Sequence, residues 1–374
     1  MKTSGIYIHI PFCKNKCIYC DYYSLEKKNN DLVAFVEILQ KEIELTAKDH
    51  KKDWIFDTIY FGGGSPAFLS IININDILNK LYHHFNFSEN IELTLEVNPG
   101  EKYNENLFFL KETGLNRLSI GFQSLDPELL KTLSRTHNID DCFTTFQNAR
   151  IAGINNISID MIYNIPGQSL NRWLDELKTL VKLDCDHIAI YPLTLEKGTP
   201  FYNQVQSDEI QLPNSHIEEE MFIQGSQFLT ENGFTQYEVA HFAKPGKECM
   251  HNLHYWNLEP YLAFGPSAHG YDGSMRWWNV SALDEYLNIL SRNERPVAGS
   301  ETLSYIKQFN ELVIYGLRTN NGISREKLRK FKPKNSLKSS LQKWEKHLEI
   351  SKDFIRIKPG HYHLTDKIST EMLL

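Results

Sequence analysis

The sequence predicts an α/β protein: a parallel, barrel-like sheet followed by an accessory region and a small helical unit. Three observations predict it. Short β-branched and aromatic runs alternate with longer stretches of helical periodicity, polar residues cluster just after the runs, and the alternation stops near Pro192.

The runs are Gly5 to Ile10, Asp57 to Phe61, Ile91 to Val97, Arg117 to Phe122, Ile157 to Tyr163 and His187 to Tyr191. Between them, Leu32 to Lys48, Ile71 to Phe85, Glu105 to Thr113, Asp140 to Ala152 and Leu170 to Leu183 repeat apolar residues at three- and four-residue spacing. Gly114 and Gly153 fall where helices end and a strand begins. This predicts a partial (β/α)6, TIM-like barrel over residues 1–200. Its active face is expected at the strand ends, which carry cysteines, a glycine run, Asn98-Pro99 and Gln123 in turn.

From 201 to 299 the pattern changes to a helix around Ser215 to Asn232, then a loop-rich, histidine- and aromatic-dense stretch from Tyr237 to Trp278. This reads as an accessory wrap on the barrel. From 300 to 374 the chain becomes helical and basic. It ends in Phe354-Ile355-Arg356-Ile357, Pro359-Gly360 and Tyr362-His363-Leu364, which suggests a hairpin in a winged-helix-like unit.

A chain of 374 residues, 41% hydrophobic, is long enough to bury a large core. It opens without a readable secretory signal and holds no apolar run long enough to span a bilayer, so a cytoplasmic protein is expected. A net charge of −7 gives no overall footprint for nucleic acid. From Arg325 to Lys358, however, twelve Lys/Arg stand against four Asp/Glu. That stretch reads first as a solvated face, and otherwise as a docking surface for an acidic partner, a membrane surface or nucleic acid.

Of the six cysteines, Cys13, Cys17 and Cys20 crowd together while Cys142, Cys185 and Cys249 are scattered, which is no disulfide framework. Three thiolates on a loop leaving a strand are able to converge on one inorganic body. Structural zinc needs a fourth closed ligand, and Cys142 is far along the chain. A 4Fe-4S cluster held by three cysteines instead leaves one iron open. An open iron is able to chelate the amino and carboxylate groups of S-adenosylmethionine.

The spacing Cys-x3-Cys-x2-Cys, with Tyr19 before the last cysteine, is the radical SAM signature. Its neighbours are Tyr7-Ile8-His9-Ile10-Pro11-Phe12-Cys13, Tyr60-Phe61-Gly62-Gly63-Gly64-Ser65-Pro66, Leu95-Glu96-Val97-Asn98-Pro99, Ser119-Ile120-Gly121-Phe122-Gln123-Ser124 and Asp160-Met161-Ile162-Tyr163. They resemble successive motifs of the oxygen-independent coproporphyrinogen III oxidase family, along nearly the whole chain. The resemblance implies a radical SAM barrel with Cys13, Cys17 and Cys20 on the cluster. It also implies S-adenosylmethionine contacts from Tyr7, Tyr19, Gly63, Gly64, Ser65, Glu96, Gln123, Arg135 and Asp160.

Two features separate this chain from that family's oxidases, which place a further cysteine two residues after the third cluster cysteine and begin with an extension. Tyr22 stands at that position, and the first strand begins near residue 5. Both match the HemW-type heme chaperones instead. The segment His251-Asn252-Leu253-His254-Tyr255-Trp256 matches the family's His-Asn-x-x-Tyr-Trp motif at each fixed position. The resemblance implies heme as ligand, with His251 the candidate for its iron and Cys249 and His254 in reserve. It further implies heme-accepting proteins as partners, and an electron donor if the cluster is reduced. The alternative is a radical enzyme acting on a tetrapyrrole, and radical modification of RNA rests only on the basic C-terminal stretch.

Overall fold

The computed structural model describes residues 2–26, 31–49, 53–101, 107–331 and 335–374. Six strands follow one another in space as in sequence: β1 (Lys2–Ile10), β2 (Trp54–Gly63), β3 (Phe87–Val97), β4 (Arg117–Gln123), β5 (Ile157–Tyr163) and β6 (His187–Pro192). All five neighbouring pairs are parallel. A helix lies between most of them, and a strand covered on both faces reads as a continuous apolar run. In β4 every residue except Gln123 is buried accordingly.

Local signals start and stop the helices. Ser70 and Asn138 close capping boxes on the helices Ile71–His84 and Ile139–Ile151, and Ser169 caps Leu170–Lys182. The expected helix from Glu105 is described from Leu107 to Glu112; Glu105 itself lies outside the described residues.

The barrel stays open because β1 and β6 each take another neighbour. Beyond β6 come β8 (His241–Ala243), antiparallel to it, and β7 (Thr235–Gln236). Beside β1 lies β9 (Tyr261–Phe264), parallel to it, then β10 (His269–Tyr271), β11 (Met275–Asn279) and β12 (Val297–Thr302) in an antiparallel run. The stretch from Tyr237 to Trp278, expected to be loop-rich, is half loop, the other half being short strands and the helix Met250–Trp256. Its strands are three to five residues long, too short for an alternation to show.

At the C-terminal end the hairpin differs from its expected position. Leu348–Ile350 pairs with Phe354–Ile357, which pairs in turn with Ile323–Ser324. Tyr362–Leu364 is a 3-10 turn leading into the helix Thr365–Met372, with Tyr362 buried. The turn signal is Ser351-Lys352-Asp353, where the Ser351 hydroxyl accepts from the Asp353 and Phe354 backbone N–H groups. A single apolar cluster runs from Ile6 on β1 through Ile159 to Leu312, Ile323 and Met372, so the C-terminal elements share the barrel's core. No described helix is long and apolar enough to cross a membrane.

Candidate cofactor site at the strand ends

The loop after β1 is held at both ends. Phe12–Cys13 pairs with Leu25–Glu26, and the Leu25 N–H donates to the Pro11 carbonyl at 2.7 Å. The glycine run after β2 fastens to the same loop: the Gly64 N–H donates to the Ile10 carbonyl at 2.8 Å and the Ser65 N–H to that of Phe12 at 2.6 Å. A Cβ on Gly64 would stand 2.6 Å from the Phe12 carbonyl oxygen. Only glycine permits this approach.

Around one cavity of about 470 Å3 the fold assembles Cys13, Cys17 and Cys20 with Tyr19, Gly63, Gly64, Glu96, Gln123, Arg135 and Asp160. These are ten of the expected site residues, drawn from the cysteine loop, from β2 to β5 and, for Arg135, from the turn after the helix Pro127–Thr132. The three thiols are half-buried and free of disulfides. Burial pushes the Cys13 thiol up to about 11 and raises that of Cys20. Among the described residues no three His, Cys, Asp or Glu side chains converge tightly enough for a single metal ion. A four-iron cube is a larger body and takes its thiolates further apart.

Arg135 joins the cluster loop to the wall, donating from Nη1 to the Cys17 Sγ at 3.4 Å and from Nη2 to Asn98 Oδ1 at 2.6 Å. Glu96 accepts from the Tyr60 hydroxyl at 2.8 Å and the Gly63 N–H at 3.1 Å, and burial lifts its carboxyl to about 7. Asp160, also raised by burial, accepts from the hydroxyls of Ser119 at 2.9 Å and Ser158 at 3.0 Å. Gln123 turns out of β4 with φ at +68°, a strained position for a non-glycine residue.

Tyr7 and Ser65 do not line this cavity. The Ser65 hydroxyl is buried and donates to Glu101 at 2.5 Å. Tyr7, on β1, lies among rings, 6.1 Å from the centroid of Tyr60 on β2 and 6.3 Å from that of His251.

His251 is fully buried on the helix Met250–Trp256. Its Nδ1 bonds to the Thr58 hydroxyl at 2.8 Å and its Nε2 to that of Tyr255 at 2.7 Å. Coordination of iron by this imidazole requires one of these bonds to open. Cys249 is buried against Glu92, its thiol pushed up to about 12 by burial. His254 sits between Asp57 at 2.6 Å and Glu259 at 2.5 Å. Burial opposes its charge, but those two carboxylates raise its pKa to about 9. It is a cation in an ion-pair bridge, with no lone pair to offer.

The profile described as the Radical SAM superfamily matches residues 7–180. A Bacillus subtilis protein named heme chaperone HemW is 35% identical over 86% of this chain and 85% of its own. A Lactococcus lactis protein of the same name is 31% identical over 98% of this chain and 94% of its own. The chain belongs to the HemW family of radical SAM proteins. A solved coproporphyrinogen III oxidase from Escherichia coli, 21% identical, superposes with a TM-score of 0.84 over 99% of this chain and 90% of its own, so the HemW-family chain has that enzyme's fold.

In this HemW-family chain the cavity also takes Asn98, expected at a strand end, and Ser119 and Tyr191, which were not among the expected site residues. Asn98 and Tyr191 stand at strand ends, the one signal able to find them. Behind Asp160 runs a buried relay: the Ser158 hydroxyl bonds to His187 at 2.8 Å, His187 to the Tyr237 hydroxyl at 2.8 Å, and Tyr237 to His241 at 3.3 Å. From His241 it returns to the cavity wall at the Tyr191 hydroxyl, 2.5 Å away.

Proposed function

We propose that this chain binds heme and hands it to heme-accepting proteins in the cytoplasm, with a 4Fe-4S cluster on Cys13, Cys17 and Cys20 and an exchangeable S-adenosylmethionine beside it. The observation that carries the reading is the likeness, over most of both lengths, to the two proteins named heme chaperone. Tyr22 supports it: an exposed phenol stands where the resembling oxidases place a cysteine.

The cluster and S-adenosylmethionine together supply one-electron bond cleavage when both are bound. The chain's part is to hold them. Glu96 and Asp160 are acceptors for ammonium or ribose hydroxyls, Arg135 is a partner for a carboxylate, and Gly63 and Gly64 leave room for close backbone approach.

A second reading, a radical enzyme acting on a tetrapyrrole, is favoured by the cavity itself, which keeps its carboxylates and arginine around the thiols. One preparation separates the two. The anaerobically reconstituted chain is titrated with hemin by absorbance, and a portion is incubated with coproporphyrinogen III, S-adenosylmethionine and a strong reductant. Equimolar hemin uptake without tetrapyrrole turnover supports the carrier. Decarboxylated product replaces it with the enzyme.

A further inference from the structure

Beside the helix Met250–Trp256 a smaller cleft of about 240 Å3 opens between that helix, the strands β9 to β11 and the helix Tyr305–Leu317. Its walls are aromatic: Tyr255, Trp256, Tyr261, Tyr271 and Tyr315. At its rim stands His269. Unlike His251 and His254, this imidazole is exposed, and among the described residues no side-chain hydrogen bond or ion pair engages it. Partial burial and the nearby Arg276 charge hold its pKa down, so the ring is neutral with a lone pair available.

The surrounding sheet is shaped for a flat ligand. His269 pairs across β10 and β11 with Trp278, their rings 6.1 Å apart and inclined by 28°. Trp278 lies flat over Gly299, where a Cβ would come within 2.5 Å of the indole. Gly299 thus lets one indole rest on the sheet on the same face as His269; Trp277, over Gly270, does so on the opposite face.

The cleft also carries groups for anions. Arg276 pairs with Glu311, which also lines the cleft and offsets its charge, but the guanidinium keeps donors beyond that pair. The Trp256 indole N–H is buried with no hydrogen-bond partner. A free neutral imidazole, aromatic walls, a cation and an unmet donor together fit a planar apolar ring that bears iron and carboxylates. A small aromatic acid would leave the imidazole without a role.

We propose that the heme carried by this chain seats one edge in this cleft and is ligated by His269. The assignment rests on the heme-carrier reading above. The cleft is smaller than a porphyrin, so the rest of the ring lies at the surface, as transfer to an acceptor requires.

The test is hemin titration of the full, anaerobically reconstituted chain, read by Soret absorbance and by the ferric electron-paramagnetic-resonance signal. His269→Ala is expected to weaken binding by about tenfold or more. His269→Cys is expected to restore binding with a thiolate-type spectrum, a change that a merely structural residue would not produce. Circular dichroism and iron content, unchanged in both variants, exclude misfolding. Wild-type affinity and spectrum in His269→Ala, or loss of binding in His251→Ala with His269 intact, overturns the assignment and leaves the carrier reading standing. A wild-type chain that takes up no hemin overturns both.

Discussion

The guanidinium of Arg135 lies 3.4 Å from the sulfur of Cys17, and its second nitrogen reaches both Asn98 at 2.6 Å and the Gly121 carbonyl at 3.2 Å. One side chain thereby ties the cluster loop to the ends of β3 and β4. The neighbouring Ser134 adds to the tie by accepting from the Ile18 N–H at 3.0 Å.

Hydrogen bonds to charged partners contribute about 1.5–3 kcal/mol each. Arg135→Leu is therefore expected to cut the iron and sulfide retained after anaerobic reconstitution and to speed their loss to a chelator. Arg135→Lys keeps the charge without the fork, so it should fall between Leu and wild type. Retention equal to wild type in Arg135→Leu would show that the arginine does not support the cluster loop.

Gly64 makes a sharper prediction, because its neighbours are backbone and have nowhere to swing. A methyl there meets the Phe12 carbonyl at 2.6 Å and the Ile10 carbonyl at 2.9 Å, so the loop must move outward. Gly64→Ala is expected to lose cluster content while far-ultraviolet circular dichroism stays native. The overpacking should also cost about 1–3 kcal/mol in thermal or denaturant unfolding. Gly153→Ala serves as a control: nothing lies within 4 Å of its Cβ, and its strain comes only from φ at +80°.

The six barrel strands were legible as short β-branched and aromatic runs, and the helices because apolar residues recur at three- and four-residue spacing between them. The cysteines, the glycine run and Gln123 followed from that frame, whereas Glu96, Arg135 and Asp160 came from the family resemblance. Depth followed from neither. Ser65 sits in a glycine motif, yet Glu101 takes its hydroxyl away from the cavity, and Tyr7 belongs to a ring stack with Tyr60 and His251. The strand β9 was hidden for a different reason. Its partner is β1, with Tyr261 opposite Gly5, and no local pattern records so distant a pairing. His269 was overlooked because its meaning lies in bonds it does not make.

Glu42 fastens the helix Asp31–Asp49 to the far edge of the sheet. Its carboxylate accepts from the Gly265 N–H at 2.8 Å, Asn279 Nδ2 at 2.6 Å and the Tyr286 hydroxyl at 2.5 Å. Burial raises its pKa from 4.5 to about 7, against the pull of those bonds. The folded state thus holds this proton more tightly than the unfolded chain. Its stabilising effect is full below pH 4.5 and is lost as pH rises toward 7, by about 3 kcal/mol at most. Glu42→Gln removes that slope, and its amide turns donors toward donors, so it should be less stable than wild type at pH 5 and closer to it at pH 7.5. Melting temperatures at the two pH values check this. A deficit that grows with pH would contradict it.

The relay through His241 has the opposite sign. Burial first, and the Arg117 charge second, lower its pKa from 6.5 to about 3. The folded state therefore disfavours the protonated ring. This contribution is full above pH 6.5 and is lost as pH falls toward 3, at up to about 1.4 kcal/mol per pH unit. His187, lowered well below 6.5 chiefly by burial, adds to the same slope. Between pH 4.5 and 6.5 these two histidines and Glu42 oppose one another; below 4.5 the Glu42 effect is constant while that of the histidines continues. Wild-type stability should fall steeply below pH 4.5. His241→Gln leaves the Tyr191 hydroxyl short of its partner, which should cost about 1–3 kcal/mol at pH 7. It should also make the acid limb shallower, because one neutral imidazole no longer resists protonation. Denaturant midpoints from pH 3.5 to 7.5 measure both effects, and an acid limb as steep as that of wild type would remove His241 from the cause.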